Sequence, residues 1–175
     1  MKTLILIICA IVFTVLTVAA QKPVPKEVVH PYVAIKTETR RMNVMAPELK
    51  QLPRVSITAK DHDGKESKYS GVELREVLKM AGVVFGKDLR GEALAKYLLV
   101  EAADGYKAVF ALPELDTEFT DRLVVLADLK DGKPLSADDG PFQIIVPNEK
   151  KHARWVRQVT WLRVINATVT DEKQK

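Results

Sequence analysis

The sequence predicts an α+β domain with a mixed or antiparallel sheet and a few short helices. Helical periodicity is confined to the first half of the chain, and strand-like apolar runs dominate the second. Asp104-Gly105 adds a third observation. It lies between the apolar runs Leu98–Ala103 and Lys107–Leu112, a strong hairpin signal because both turn residues tolerate positive φ. A doubly wound parallel sheet would instead alternate helices with strands along the whole chain.

The elements follow in order. Residues 1–20 read as a secretory signal: Lys2, an apolar run from Leu4 to Val18, and small residues ending at Ala20. The run is about 15 residues, short of the roughly 20 that span a bilayer. Cleavage before Gln21, export to the periplasm or medium, and no stable membrane insertion are therefore expected. Residues 21–28, with Pro23 and Pro25, read as an extended leader. Residues 29–167 read as one domain and 168–175 as a polar tail.

Within the domain, Val28–Ile35 holds a first strand interrupted by Pro31. Met42–Leu52 contains a short helix that Pro47 starts and Pro53 stops. Val55, Ile57 and Ala59 alternate with Ser56 and Thr58, the period of a half-buried strand. Asp61–Gly64 is a turn. Ser70 or Gly71 then caps a helix of about ten residues, with Leu74, Val77, Leu78 and Ala81 on one face and Gly82 ending it. After the hairpin, Pro113–Asp116 is a helical turn and Leu123–Leu129 a continuous apolar run suited to a central strand. Asp131-Gly132 turns the chain, Phe142–Val146 is a second buried strand, and Val159–Ile165 closes the domain.

Composition narrows the chemistry. The chain has 27 basic and 23 acidic residues, a net charge of +4, and loss of Lys2 with the signal leaves +3. That excess is too mild to argue for nucleic acid. The only cysteine is Cys9, inside the apolar run. The mature chain would hold no disulfide, no thiolate metal site and no cysteine nucleophile. Gly-x-Ser-x-Gly, a Gly-rich phosphate loop, His-Glu-x-x-His and Cys-x-x-Cys are all absent from the sequence.

Four segments carry the remaining information: Ala103-Asp104-Gly105-Tyr106, Asp131-Gly132-Lys133-Pro134-Leu135, Gly140–Pro147, and Ala153-Arg154-Trp155-Val156. Alone, the first is a tight turn and the third a sharp bend before a strand. The basic run of Lys150, Lys151, His152, Arg154 and Arg157 is alone a solvated surface around Trp155, a core residue. In order and spacing, however, the four resemble the sulfite-oxidase-like, molybdopterin-binding fold, over roughly Val44–Val164.

The resemblance implies roles. Tyr106 would line a pocket facing the metal and bond substrate through its hydroxyl. Arg154, before Trp155, matches a basic residue that helps bind the pterin phosphate. Gln143 stands where the family commonly carries an arginine, so it keeps hydrogen bonding without the charge. The metal-ligand cysteine would lie in the loop Lys60–Lys68, which has no thiol. Asp61, His62 and Asp63 offer donors, but adjacent residues rarely converge on one ion, and no metal site is expected there. Tyr106, Gln143 and Arg154 are expected to converge on one concave site, giving a hydroxyl, an amide and a cation to a small anionic ligand.

The resulting expectation is an exported member of that family, non-redox or degenerate. It would bind a small anionic or pterin-like ligand, or an exported protein partner, and would not oxidise sulfite or reduce sulfoxides. One alternative is a molybdopterin-dependent oxidoreductase. Another is a structural or interaction module with a vestigial pocket.

Overall fold

The computed structural model describes residues 30–168. The signal, the leader 21–28 and the tail beyond Thr168 lie outside the described residues, as does Cys9. Two five-stranded sheets enclose one core.

The first sheet runs β2 (Arg41–Met45), β1 (Tyr32–Lys36), β10 (Val159–Asn166), β5 (Lys96–Ala102), β6 (Lys107–Ala111). Only β1 and β10 are parallel in it; the other pairs are antiparallel. The second sheet runs β3 (Arg54–Lys60), β4 (Glu66–Glu73), β7 (Val125–Lys130), β8 (Lys133–Pro134), with β9 (Gln143–Ile145) also on β7. The helices are short: α1 (Ala46–Leu49), α2 (Leu74–Met80) and a few 3-10 turns. The domain is α+β, with one mixed sheet and one antiparallel sheet.

Period-2 patterning builds the first sheet. In β5, Leu98, Val100 and Ala102 are buried, and in β6 Ala108 and Phe110. Strand β7 is buried continuously over Val125–Ala127 because it takes β4 on one side and β8 and β9 on the other. It is the central strand that its unbroken apolar run predicts. Helix α2 packs Leu74, Val77 and Leu78 into the core, and Gly82 ends it at φ +83°.

Two elements depart from the sequence reading. Arg41–Met45 is a strand ahead of α1, where the sequence predicts a helix alone; only Val44 is fully buried, so its alternation is faint. Ser70 and Gly71 lie within β4 and do not cap α2, whose N-terminus follows Glu73. Packing dictates this. A Cβ on Gly71 would overlap the Leu126 carbonyl oxygen and lie 2.6 Å from the Ala127 Cα. Glycine is therefore required by the close approach of β7 and not by a helix cap. The expected Asp104-Gly105 hairpin is present, with Gly105 at φ +85°.

One sequence pattern recurs with one physical role. In Met45-Ala46-Pro47-Glu48 and Ala111-Leu112-Pro113-Glu114, the glutamate accepts the amide of the residue three before it, at 2.7 and 3.1 Å. Proline fixes φ for the first turn while the carboxylate satisfies an orphan N–H.

Candidate functional site

The β5–β6 turn, the loop after β3 and the segment 151–157 meet at a cleft of about 430 Å³. Each wall is held by identifiable contacts.

The hairpin supplies Asp104 and Tyr106. The Tyr106 carbonyl accepts the Ala102 amide at 2.9 Å, and the Asp104 carboxylate accepts the Tyr106 amide at 2.9 Å. The Tyr106 side chain is 48 % exposed. Its hydroxyl donates to the Ala153 carbonyl at 2.6 Å, which ties the hairpin to the far wall.

The loop after β3 supplies His62. Asp61 organises it: one carboxylate oxygen accepts the amides of Asp63 and Lys65, each at 3.0 Å, and the other accepts Lys130 Nζ at 3.1 Å. Burial favours the neutral acid, but Lys130 and the two amides outweigh it and hold the Asp61 carboxyl below its ordinary value. Lys130 is held above its ordinary value: burial works against its charge, and the Asp61 and Tyr69 side chains together outweigh burial.

The third wall is the 3-10 turn His152–Arg154 and its flanks, which supply Lys151, His152 and Arg157. Trp155 anchors it. Its indole N–H donates to the Val146 carbonyl at 2.8 Å, and its ring meets Tyr69 edge-on at 5.6 Å. His152 packs on Trp155 with ring centres 4.2 Å apart, and His62 meets His152 edge-on at 4.9 Å. A chain of rings therefore runs from core to cleft.

Of the three residues expected to converge, Tyr106 alone lines this cleft. Arg154 is drawn elsewhere. Its guanidinium bonds Glu149, meets Glu114 at 2.9 Å, and lies 4.5 Å over the Phe110 ring. Burial opposes its charge, yet the two carboxylates raise its pKa further above the ordinary value. Gln143 is 4 % exposed within β9, paired with Ala127 of the central strand. The convergence fails because two carboxylates claim the arginine, and because β9 carries Gln143 into the second sheet.

The structure brings forward Lys151, Arg157, His152 and His62 instead. Lys151 and Arg157 belong to the basic run that the sequence displays. What separates them from Arg154 is the carboxylate supply: Glu149 is five residues away, but Glu114 is forty away and reaches the arginine only through the fold. Among the described residues Lys151 has no carboxylate partner, and Arg157 has only Asp139 at 4.0 Å. No cluster of three or more His, Cys, Asp or Glu suited to a metal occurs among the described residues.

Comparison with known proteins bears on this geometry. The chain is similar in fold to the sulfane dehydrogenase SoxCD from Paracoccus pantotrophus, with a TM-score of 0.58 and 19% identity. The match covers 76% of this chain and 37% of that one, so the likeness extends to little more than a third of its length. No curated protein matches the chain. The family model described as the oxidoreductase molybdopterin binding domain matches residues 38–174, from the turn after β1 past the end of β10. The chain belongs to the oxidoreductase molybdopterin-binding domain family.

Proposed function

We propose that this protein is a non-redox member of the family, whose cleft holds a small anionic, pterin-like ligand. One observation carries the reading. Lys151 and Arg157 face the cleft without the carboxylates that neutralise Arg154. A cation left without a strong partner beside a hydroxyl and two imidazoles favours an anion. Among the described residues Asp104 is the one carboxylate lining the cleft, and one of its oxygens already accepts the Tyr106 amide.

The family's cofactor fits this cleft only in part. Its metal would be completed by a protein thiolate, and residues 21–175 contain none. The donors that line the cleft are the imidazoles of His62 and His152, the Asp104 carboxylate and a phenol engaged with a backbone carbonyl. These are harder donors than a thiolate. No step through molybdenum is therefore derived. The anionic part of such a cofactor is a different matter, because Lys151 and Arg157 suit a phosphate.

Calorimetric titration with 6-carboxypterin and with inorganic phosphate tests the reading. One equivalent should bind. A charge-assisted bond contributes about 1.5–3 kcal/mol, so Lys151→Ala and Arg157→Ala should each weaken binding roughly tenfold or more. Absence of binding, or affinity indifferent to both substitutions, contradicts the proposal.

A molybdopterin-dependent oxidoreductase is the second reading, favoured by family membership itself. It requires molybdenum held without a thiolate from residues 21–175. Export is part of the proposal and rests on the segment 1–20. Intact mass of the protein recovered outside the cytoplasm should show Gln21 as the first residue, and a soluble product retaining Met1–Ala20 would contradict it. None of the described helices is long and apolar enough to cross a membrane.

A further inference from the structure

We propose that His62 and His152 form a two-imidazole site for a divalent first-row metal, copper(II) binding most tightly, at the mouth of the cleft. The inference goes beyond the anion-binding reading and does not involve molybdenum. It starts from a juxtaposition invisible in the sequence: ninety residues apart, the two rings meet with centres 4.9 Å apart and planes 89° to one another.

That spacing admits a shared ion. Imidazole nitrogen binds such metals at about 2.0–2.1 Å, which puts each ring centre roughly 3.2 Å from the ion. For nitrogen–metal–nitrogen angles between square-planar and tetrahedral values, two ring centres then lie roughly 4.5–5.2 Å apart. The observed 4.9 Å falls inside the interval. The turn beneath His62 and the ring of His152 are also held independently of any ligand. Asp61 fixes the turn that carries His62, and Trp155 packs on His152. Preorganisation lowers the cost of ordering two side chains around an ion.

The site differs from one built of adjacent donors in the loop. Asp61 is already bonded to Lys130 and two amides, so the loop contributes one ligand and the turn His152–Arg154 the other. Its open side faces the cleft, where water or an anion completes the sphere. Lys151 and Arg157 add positive charge nearby, which disfavours a bare dication and favours an anionic co-ligand. Copper(II) stands highest among first-row divalent ions for imidazole donors.

The protein has three histidines, which makes the test clean. Copper(II) chloride is titrated into the purified protein in a non-coordinating buffer at neutral pH, and the spectrum is read by continuous-wave and pulsed electron paramagnetic resonance. One equivalent should show modulation from two equatorial imidazoles. His62→Ala and His152→Ala should each weaken binding at least tenfold and leave one imidazole, while His30→Ala should change nothing. His62→Ala lies on an exposed turn and keeps the test valid if loss of His152 disturbs Trp155. Copper binding equal in wild type and in the double variant, or following His30, overturns the proposal. Phosphate titration of the same variants without copper reports on Lys151 and Arg157 separately, so failure of this site and failure of the anion reading are distinguishable.

Discussion

At Gly105 the backbone sits at φ +85°, and a Cβ there would have nothing within 4 Å, so the constraint is conformational. Gly105→Val should cost more than about 1 kcal/mol through strain alone, visible as a lower melting temperature; an unchanged melting temperature would show that the turn relaxes. Gly71 is the opposite case. Its φ is ordinary, but any Cβ strikes the Leu126 carbonyl and the Ala127 Cα. Overpacking of that kind costs about 1–3 kcal/mol or more, and Gly71→Ala should lose at least as much stability as Gly105→Val in a denaturant melt. Arg154 and Lys151 make a third contrast. Arg154→Ala removes a guanidinium that spans Glu149 and Glu114 and covers Phe110. It should lower the melting temperature while ligand affinity stays within about threefold. Lys151→Ala should do the reverse. If Arg154→Ala abolished binding at unchanged stability, the assignment of the ligand cations would be wrong.

The turn after β3 acts as an element through one acid and one base. Asp61 is held below its ordinary pKa, so its contribution to stability is complete above about pH 4 and is lost as pH falls through the lower folded value. Lys130 is held above its ordinary pKa, so its contribution is complete below about pH 10 and is lost as pH rises through the folded value. The pair therefore supports the turn, and the position of His62, across the intervening range. Melting temperature measured against pH should fall less steeply on the acid side in Asp61→Asn than in the wild type. Parallel acid limbs would show that Asp61 does not hold the turn. At this scale the sequence is most readable where a single interaction decides the structure. Asp104-Gly105 needs only turn chemistry, and Val125–Ala127 only its apolar run. The end of β4 escapes a sequence reading because the demand on Gly71 comes from a strand more than fifty residues later. Strand β2 escapes it because one buried residue, Val44, leaves too little alternation to detect.

Over the whole molecule, the family and the α+β architecture are legible because spaced segments survive whatever happens at the site. The site is legible only in part. Tyr106, singled out by the family resemblance and not by its turn, lines the cleft. Arg154 stands out in the sequence for preceding Trp155, yet the carboxylates that neutralise it, Glu149 and Glu114, become its partners only in the folded chain. Lys151, Arg157 and the meeting of His62 with His152 depend on how a loop and a 3-10 turn approach one another, which no periodicity encodes. On the proposed reading the cleft serves an anion without molybdenum redox chemistry, which the molybdenum content and bound small molecules of the protein purified from its own source would test. Substoichiometric molybdenum and an anionic organic ligand released on denaturation are expected. Stoichiometric molybdenum, with sulfite or sulfoxide turnover that tracks it and disappears in Tyr106→Phe, would contradict the claim.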